Sequence, residues 1–160
     1  LRGLRKDAAR IANAIVFDGA DMIRAEAYIS ISTGSISGKN HVASRPGTPP
    51  NRASGFLQAQ FETDNPRPLL ARFTSSAPYA AIHEFGGVIN HPGGTPYFMR
   101  DGLAVFVSKQ GPGAHHGLPL TKPHTITMPA RPYVRPARDK MAPAIRKKFV
   151  ESMNRLVRSK

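Results

Sequence analysis

His83 and Glu84 stand side by side in the stretch Pro78-Tyr79-Ala80-Ala81-Ile82-His83-Glu84-Phe85-Gly86-Gly87. A histidine beside a carboxylate raises three chemistries: half of a zinc site, a general acid–base pair, or a structural corner. In the zinc motif H-E-x-x-H the second histidine lies one helical turn on and completes the ligand pair. Here that position is Gly87, so the second ligand is missing. An acid–base pair needs a nucleophile and an oxyanion partner. No G-x-S-x-G elbow occurs, and Ser75-Ser76 lacks that context. Glu84 beside a helix end reads more simply as a structural acid that pairs with an arginine or caps a backbone amide.

The remaining histidines are His41, His91, His115, His116 and His124. His115-His116 sits among glycines, with no carboxylate at ligand spacing. The glycine clusters at 86–87, 93–94 and 111–113 match neither G-x-x-x-x-G-K-[ST] nor G-x-G-x-x-G, so no phosphate loop is expected. The chain has no cysteine, which removes disulfides, thiolate nucleophiles and cysteine zinc sites. With no catalytic constellation, the expectation is a non-enzyme without catalytic residues, metal or cofactor.

The formal charge of +13 is unevenly placed. Residues 1–30 carry five Lys/Arg against four Asp/Glu, residues 31–130 eight against four, and residues 131–160 ten against two. More than half of the excess therefore lies in the last thirty residues. Such a block is either a solvated basic helix or a surface for a polyanion. Arg138, Lys140, Arg146, Lys147, Lys148, Arg155 and Arg158 are the candidate phosphate contacts. Only Tyr133 and Phe149 are aromatic in that block, and Phe149 falls on an apolar stripe. Contacts would therefore go to backbone phosphates and weaken with salt. No apolar run reaches the roughly 18 residues of a membrane span. The start, Leu1-Arg2-Gly3-Leu4-Arg5-Lys6, is too polar for a signal peptide, and its lack of methionine leaves room for residues upstream.

The elements that must position these residues follow from apolar period. Leu4, Ala8, Ile11, Ile15, Gly19, Met22, Ala25 and Ile29 recur at three and four, which predicts an N-terminal helix over the first thirty residues. Residues 32–55 are rich in Gly, Pro and Ser and read as an extended loop able to order on assembly. Phe56–Phe61 alternates as a strand, Leu69–Thr74 as the next, with Asn65-Pro66-Arg67-Pro68 as their turn. Tyr97–Arg100, Asp101-Gly102 and Leu103–Lys109 form a hairpin pattern, and Asp-Gly suits a type I′ turn. A glycine-rich loop over Gly111–Gly117 precedes a short strand at His124–Met128. Ala137, Met141, Ala144, Ile145, Phe149, Met153 and Leu156 predict a basic C-terminal helix over 135–160, kinked at or starting from Pro143. The sum is one α+β domain over 1–160: a small, mainly antiparallel sheet packed by N- and C-terminal helices, with long loops.

Three segments in order carry a further signal: Ser44-Arg45-Pro46-Gly47-Thr48-Pro49-Pro50-Asn51 followed by Ser54-Gly55-Phe56-Leu57; Ala77–Gly87; and Met128-Pro129-Ala130-Arg131-Pro132-Tyr133-Val134-Arg135-Pro136-Ala137. The pattern "S-x-P-G-x-P-P-N, [ST]-G-x-L", "Y-A-x-x-x-E-F-G" and "P-A-R-P-[FY]-x-[RK]-P-A" resembles the tail-completion proteins of long-tailed bacteriophages, also called tail-terminator or head–tail joining proteins. The resemblance covers about residues 4–158, its motifs residues 44–137. It implies a virion subunit without a catalytic site that forms a hexameric ring at the head-proximal end of the tail. The implied partners are further copies of itself, the tail-tube protein and a neck or stopper protein. Assembly would occur in the host cytoplasm, with non-specific contact to genomic DNA in the channel and no membrane. The insert around Gly111 to Lys122 and the basic charge depart from the family pattern. The alternative reading is a basic DNA-binding accessory protein that contacts phosphates through residues 131–160.

Tyr79, His83, Glu84, Phe85, Gly86, Gly87, Arg131, Pro132 and Arg135 are thus read as a structural or subunit-interface motif. Tyr79, Ile82 and Phe85 are expected to pack a helical turn onto the sheet, and Gly86-Gly87 to let the chain leave it. Arg131 and Arg135, each followed by a proline, are the expected ion-pair partners of Glu84.

Overall fold

A computed structural model describes residues 2–107 and 117–158, except for the side chains of residues 2–5 and Lys39. Most of the Gly111–Gly117 loop, the His115-His116 pair and the expected end of the hairpin at Lys109 lie outside the described residues. The fold is α+β, with a helix at each end and short antiparallel strands between them. The sequence reads as a single domain, whereas the contacts group the chain into two compact units. One runs to Gly86 and resumes at Pro129; the other is Gly87–Met128. The strands pair two by two rather than in one continuous sheet.

The first unit is built on α1 (Arg2–Ser32) and α4 (Val134–Arg158). They run antiparallel: Lys140 Nζ meets Glu26 at 2.7 Å and Lys148 Nζ meets Asp18 at 2.6 Å. Gly19 permits the close approach, because a Cβ there would stand 3.1 Å from Cγ2 of Ile145. The buried row on α1 follows strict i, i+4 steps, with Ile15, Gly19, Ala27 and Ile31 buried and Ile23 packed beside them. Here the expected stripe is corrected: Ala25 is exposed, and Ile29 is 55% exposed. Apolar residues occur on more than one face of this helix, so period alone cannot choose between Ile29 and Ile31. On α4, Ala137 and Leu156 are buried, but Phe149 is exposed rather than core. The helix runs unbroken through Pro143, so it neither starts there nor stops.

Residues 33–55 form the expected loop, with one short 3-10 turn at Gly38–Asn40. It is tied to the body, since Arg52 N–H donates to the Ile31 carbonyl (3.2 Å) and Gly47 N–H to the Ala130 carbonyl (2.8 Å). Phe56–Ala59 is a short helix, α2, and not the expected strand. Leu57 and Phe61 lie four apart, a spacing that suits both the strand and the helix period. The deciding residue is Gln58. It is buried, and its Nε2 donates to the Tyr28 carbonyl and the Ser32 hydroxyl.

β1 (Phe61–Arg67) and β2 (Leu70–Ser75) pair antiparallel. The expected turn at 65–68 is corrected too. The strand continues through Pro66, where the register shifts because proline offers no ladder N–H. The chain reverses at Pro68-Leu69, with Leu69 at φ +58 and its N–H held by Asn13 Oδ1 at 2.9 Å. Phe61 links the layers, stacked on Tyr133 at 5.6 Å and edge-on to Phe73 at 5.0 Å. Ala27, Ile31, Leu57, Ala77, Ala80 and Ala137 complete this core. Then α3 (Ala80–Phe85) leads to Gly86.

In the second unit, β3 (Gly87–His91) pairs with β6 (His124–Met128). β4 (Tyr97–Arg100) and β5 (Leu103–Phe106) form the expected hairpin. Asp101 at φ +51 and Gly102 at φ +78 give the two left-handed residues that a type I′ turn needs. Among the described residues, none of the buried core side chains belongs to this unit.

Candidate functional site: a carboxylate that caps a helix

The site begins with an unmet need of α4. A helix leaves its first four N–H groups without intrahelical partners. The residue before α4 is Tyr133, and neither it nor Pro132 can cap with a side-chain oxygen as Ser, Thr, Asp or Asn would. The cap comes from α3. Glu84 Oε2 accepts the N–H groups of Tyr133 (2.8 Å) and Val134 (2.9 Å), and Oε1 accepts that of Arg135 (3.0 Å). The fourth position is Pro136, which has no N–H to satisfy. All the orphan donors of this helix start are therefore met or absent. Glu84 is only 7% exposed, and the helix dipole adds to its stabilisation.

The expected ion pair is replaced by this cap. Arg135 contributes its main-chain N–H, and the Arg131 guanidinium donates instead to the Ser44 carbonyl (Nε to O, 3.0 Å). The Arg131 N–H donates to the His83 carbonyl at 2.6 Å. Pro132 is half-buried between these contacts. The three sequence segments thus meet at one corner: 44–47 through Ser44 and Gly47, 83–84 through His83 and Glu84, and 130–135 through Ala130 to Arg135.

Two packing expectations for α3 need amendment, while Ile82 is half-buried. Phe85 points outward at 69% exposure and Tyr79 is exposed at 38%, while the small residues Ala77 and Ala80 make the buried contact. Tyr79 instead sets its ring edge-on to His83 at 5.5 Å. Gly86, at φ +70 and ψ −176, sits in a region that only glycine occupies readily, and Gly87 opens β3.

The electrostatics are those of a buried structural corner. Burial, and then the nearby Arg131 charge, hold the His83 imidazole below its ordinary pKa. Its buried Nδ1 has no hydrogen-bond partner among the described residues. Burial pushes the Tyr133 phenol up to about 12, with the Glu84 charge acting in the same direction. No cluster of three or more His, Cys, Asp or Glu that could hold a metal occurs among the described residues. His91 and His124 stack at 4.9 Å across β3 and β6 as a pair, a contact that their separation in sequence did not reveal.

Of the seven basic residues singled out on α4, four are neutralised. Lys140 and Lys148 pair with acids of α1, Arg138 with Asp139 (2.7 Å) and Lys147 with Glu151 (3.9 Å). Arg146, Arg155 and Arg158 form no ion pair among the described residues. No described helix is long and apolar enough to cross a membrane.

The residues that sequence reasoning missed are Ser44 and Ala130, whose carbonyls anchor the corner. The signal for Glu84's role was present in the absence of any capping side chain before the helix, together with a proline three positions inside it. Compared with models of protein families, with curated proteins and with solved structures, the chain matches none.

Proposed function

We propose that this chain is a structural virion protein of the tail-completion type, which assembles with copies of itself into a ring at the head-proximal end of a phage tail. There it would end tail-tube growth and join the tail to the neck. The observation that carries the reading is the corner itself. The three segments on which the resemblance rests are far apart in sequence, yet they hydrogen-bond to one another around Glu84. Residues so engaged hold a shape.

The exposed surface supports self-assembly. Ile29, Val88, Met99, Leu103, Phe106 and Val157 are each more than half exposed. Ring formation would cover such surface, consistent with the size of stable interfaces. The test is electron microscopy of lysates from a phage whose copy of this gene is disrupted. Filled heads beside unjoined tails of uncontrolled length are expected; normal joined particles would sink the reading.

A further inference from the structure

Eight of the ten acidic residues are engaged, seven with a Lys or Arg and Glu84 with the α4 cap. Among the described residues, Glu62 and Asp101 have no such partner. Asp101 occupies the tip of the β4–β5 hairpin and is exposed. The register places Tyr97, Met99, Ala104 and Phe106 on one face of that hairpin and Phe98, Arg100, Leu103 and Val105 on the other. Both faces are therefore mainly apolar. Met99, Leu103 and Phe106 are 60%, 72% and 63% exposed. A two-stranded hairpin is at best marginally stable in water by itself, and this one needs a cover. Within its own unit Leu120 reaches the Tyr97–Phe106 face, yet Leu120 is itself 56% exposed.

A matching cleft exists in the first unit. It has a volume of about 390 Å³ and is lined by Phe73, Ala80, Ala81 and Phe85, with Arg135 and Arg138 also facing it. One wall is β2, which among the described residues pairs with β1 alone. Arg138 is already paired with Asp139, whereas the Arg135 guanidinium forms no ion pair among the described residues. An apolar cleft with Arg135 at its side complements an apolar arm with Asp101 at its tip, where the neighbouring Arg100 guanidinium lies over the Phe98 ring, 5.6 Å from its centroid.

We infer that the β4–β5 hairpin of one copy docks into this cleft on the next copy, with Asp101 at Arg135 and the apolar residues of the tip against Phe85. The contact joins two different patches, so it is heterologous. It propagates head to tail and closes into a ring when the rotation permits. This inference rests on the ring reading above and supplies its subunit contact.

The absence of cysteine makes a direct test clean. Leu103→Cys and Ala81→Cys are made in separate chains, both at exposed positions. The purified proteins are treated with a short bis-maleimide, singly and mixed. The expected result is a cross-linked dimer from the mixture and none from either protein alone. In sedimentation of otherwise native chains, Asp101→Asn keeps the left-handed turn, removes the charge, and weakens self-association roughly two- to fivefold. Phe85→Asp weakens it at least roughly tenfold. If the native mass shows a ring but the mixture gives no dimer, the hairpin contact is wrong and the ring reading survives. If the chain stays monomeric at all concentrations and nothing cross-links, both fall.

Discussion

Glu84 is a single side chain that serves three donors, and its removal leaves them buried. Glu84→Ala is expected to cost about 2–4 kcal/mol and to lower Tm by roughly 5–15 °C, read by thermal denaturation. Arg135→Gln should move stability by less than about 0.5 kcal/mol, because only the main chain of Arg135 reaches the carboxylate. Equal losses in the two variants would restore the ion pair that the sequence suggested. His83 gives a pH signature with a definite sign. Its folded pKa is depressed, so the unfolded chain binds the proton more readily. Its contribution to stability is complete above about pH 6.5 and is lost as pH falls through the lower folded value. The drop in Tm between about pH 7.5 and pH 5.5 should therefore be smaller in His83→Phe than in the parent; an unchanged drop would assign the pH sensitivity to other groups. At this scale the sequence made Glu84 visible as a structural acid beside a helix end. It could not name the partner, because Tyr133 lies 49 residues away and offers a main-chain group that every residue but proline has.

Helices α1 and α4 and the β4–β5 hairpin were legible because each repeats one period long enough, or carries a turn dipeptide specific enough, to exclude the other period. Phe56–Ala59 was not, since spacing by four satisfies helix and strand alike. β3 was missed because Gly87-Val88-Ile89-Asn90-His91 does not alternate and its two strand formers, Val88 and Ile89, stand between Gly87 and Asn90, which disfavour strands; its pairing with β6 makes it a strand. Pro143 is the one residue of α4 whose chemistry opposes its element. It lies exposed, ten residues into the helix, and gives no N–H to the Asp139 carbonyl. Pro143→Ala should raise stability by about 1–3 kcal/mol; an unchanged or lowered Tm would mean that the proline sets a bend on which the α1–α4 packing depends.

For the whole molecule, the +13 charge overstates what a polyanion would meet. With four of the seven named α4 cations already paired, Arg146, Arg155 and Arg158 remain for phosphates together with the Arg135 guanidinium. The salt slope of any DNA binding through α4 should then be about −3 to −4 on a log–log plot, measured by titration at several salt concentrations. A slope two or three times steeper would favour the DNA-binding alternative. The two-unit organisation was not legible, because it depends on how contacts group within Gly87–Met128 and within the rest of the chain, and apolar period reports only where contacts are wanted. The corner also sets an order of events during synthesis. The donors that Glu84 caps follow it by 49 to 51 residues, about 3–10 s of translation. Until Tyr133 emerges, Ala27, Ile31 and Phe61 lack the ring that closes over them. The nascent chain must therefore carry an open apolar surface from the appearance of Phe61 until Tyr133 follows it. It can complete its first unit only after its second has already left the ribosome.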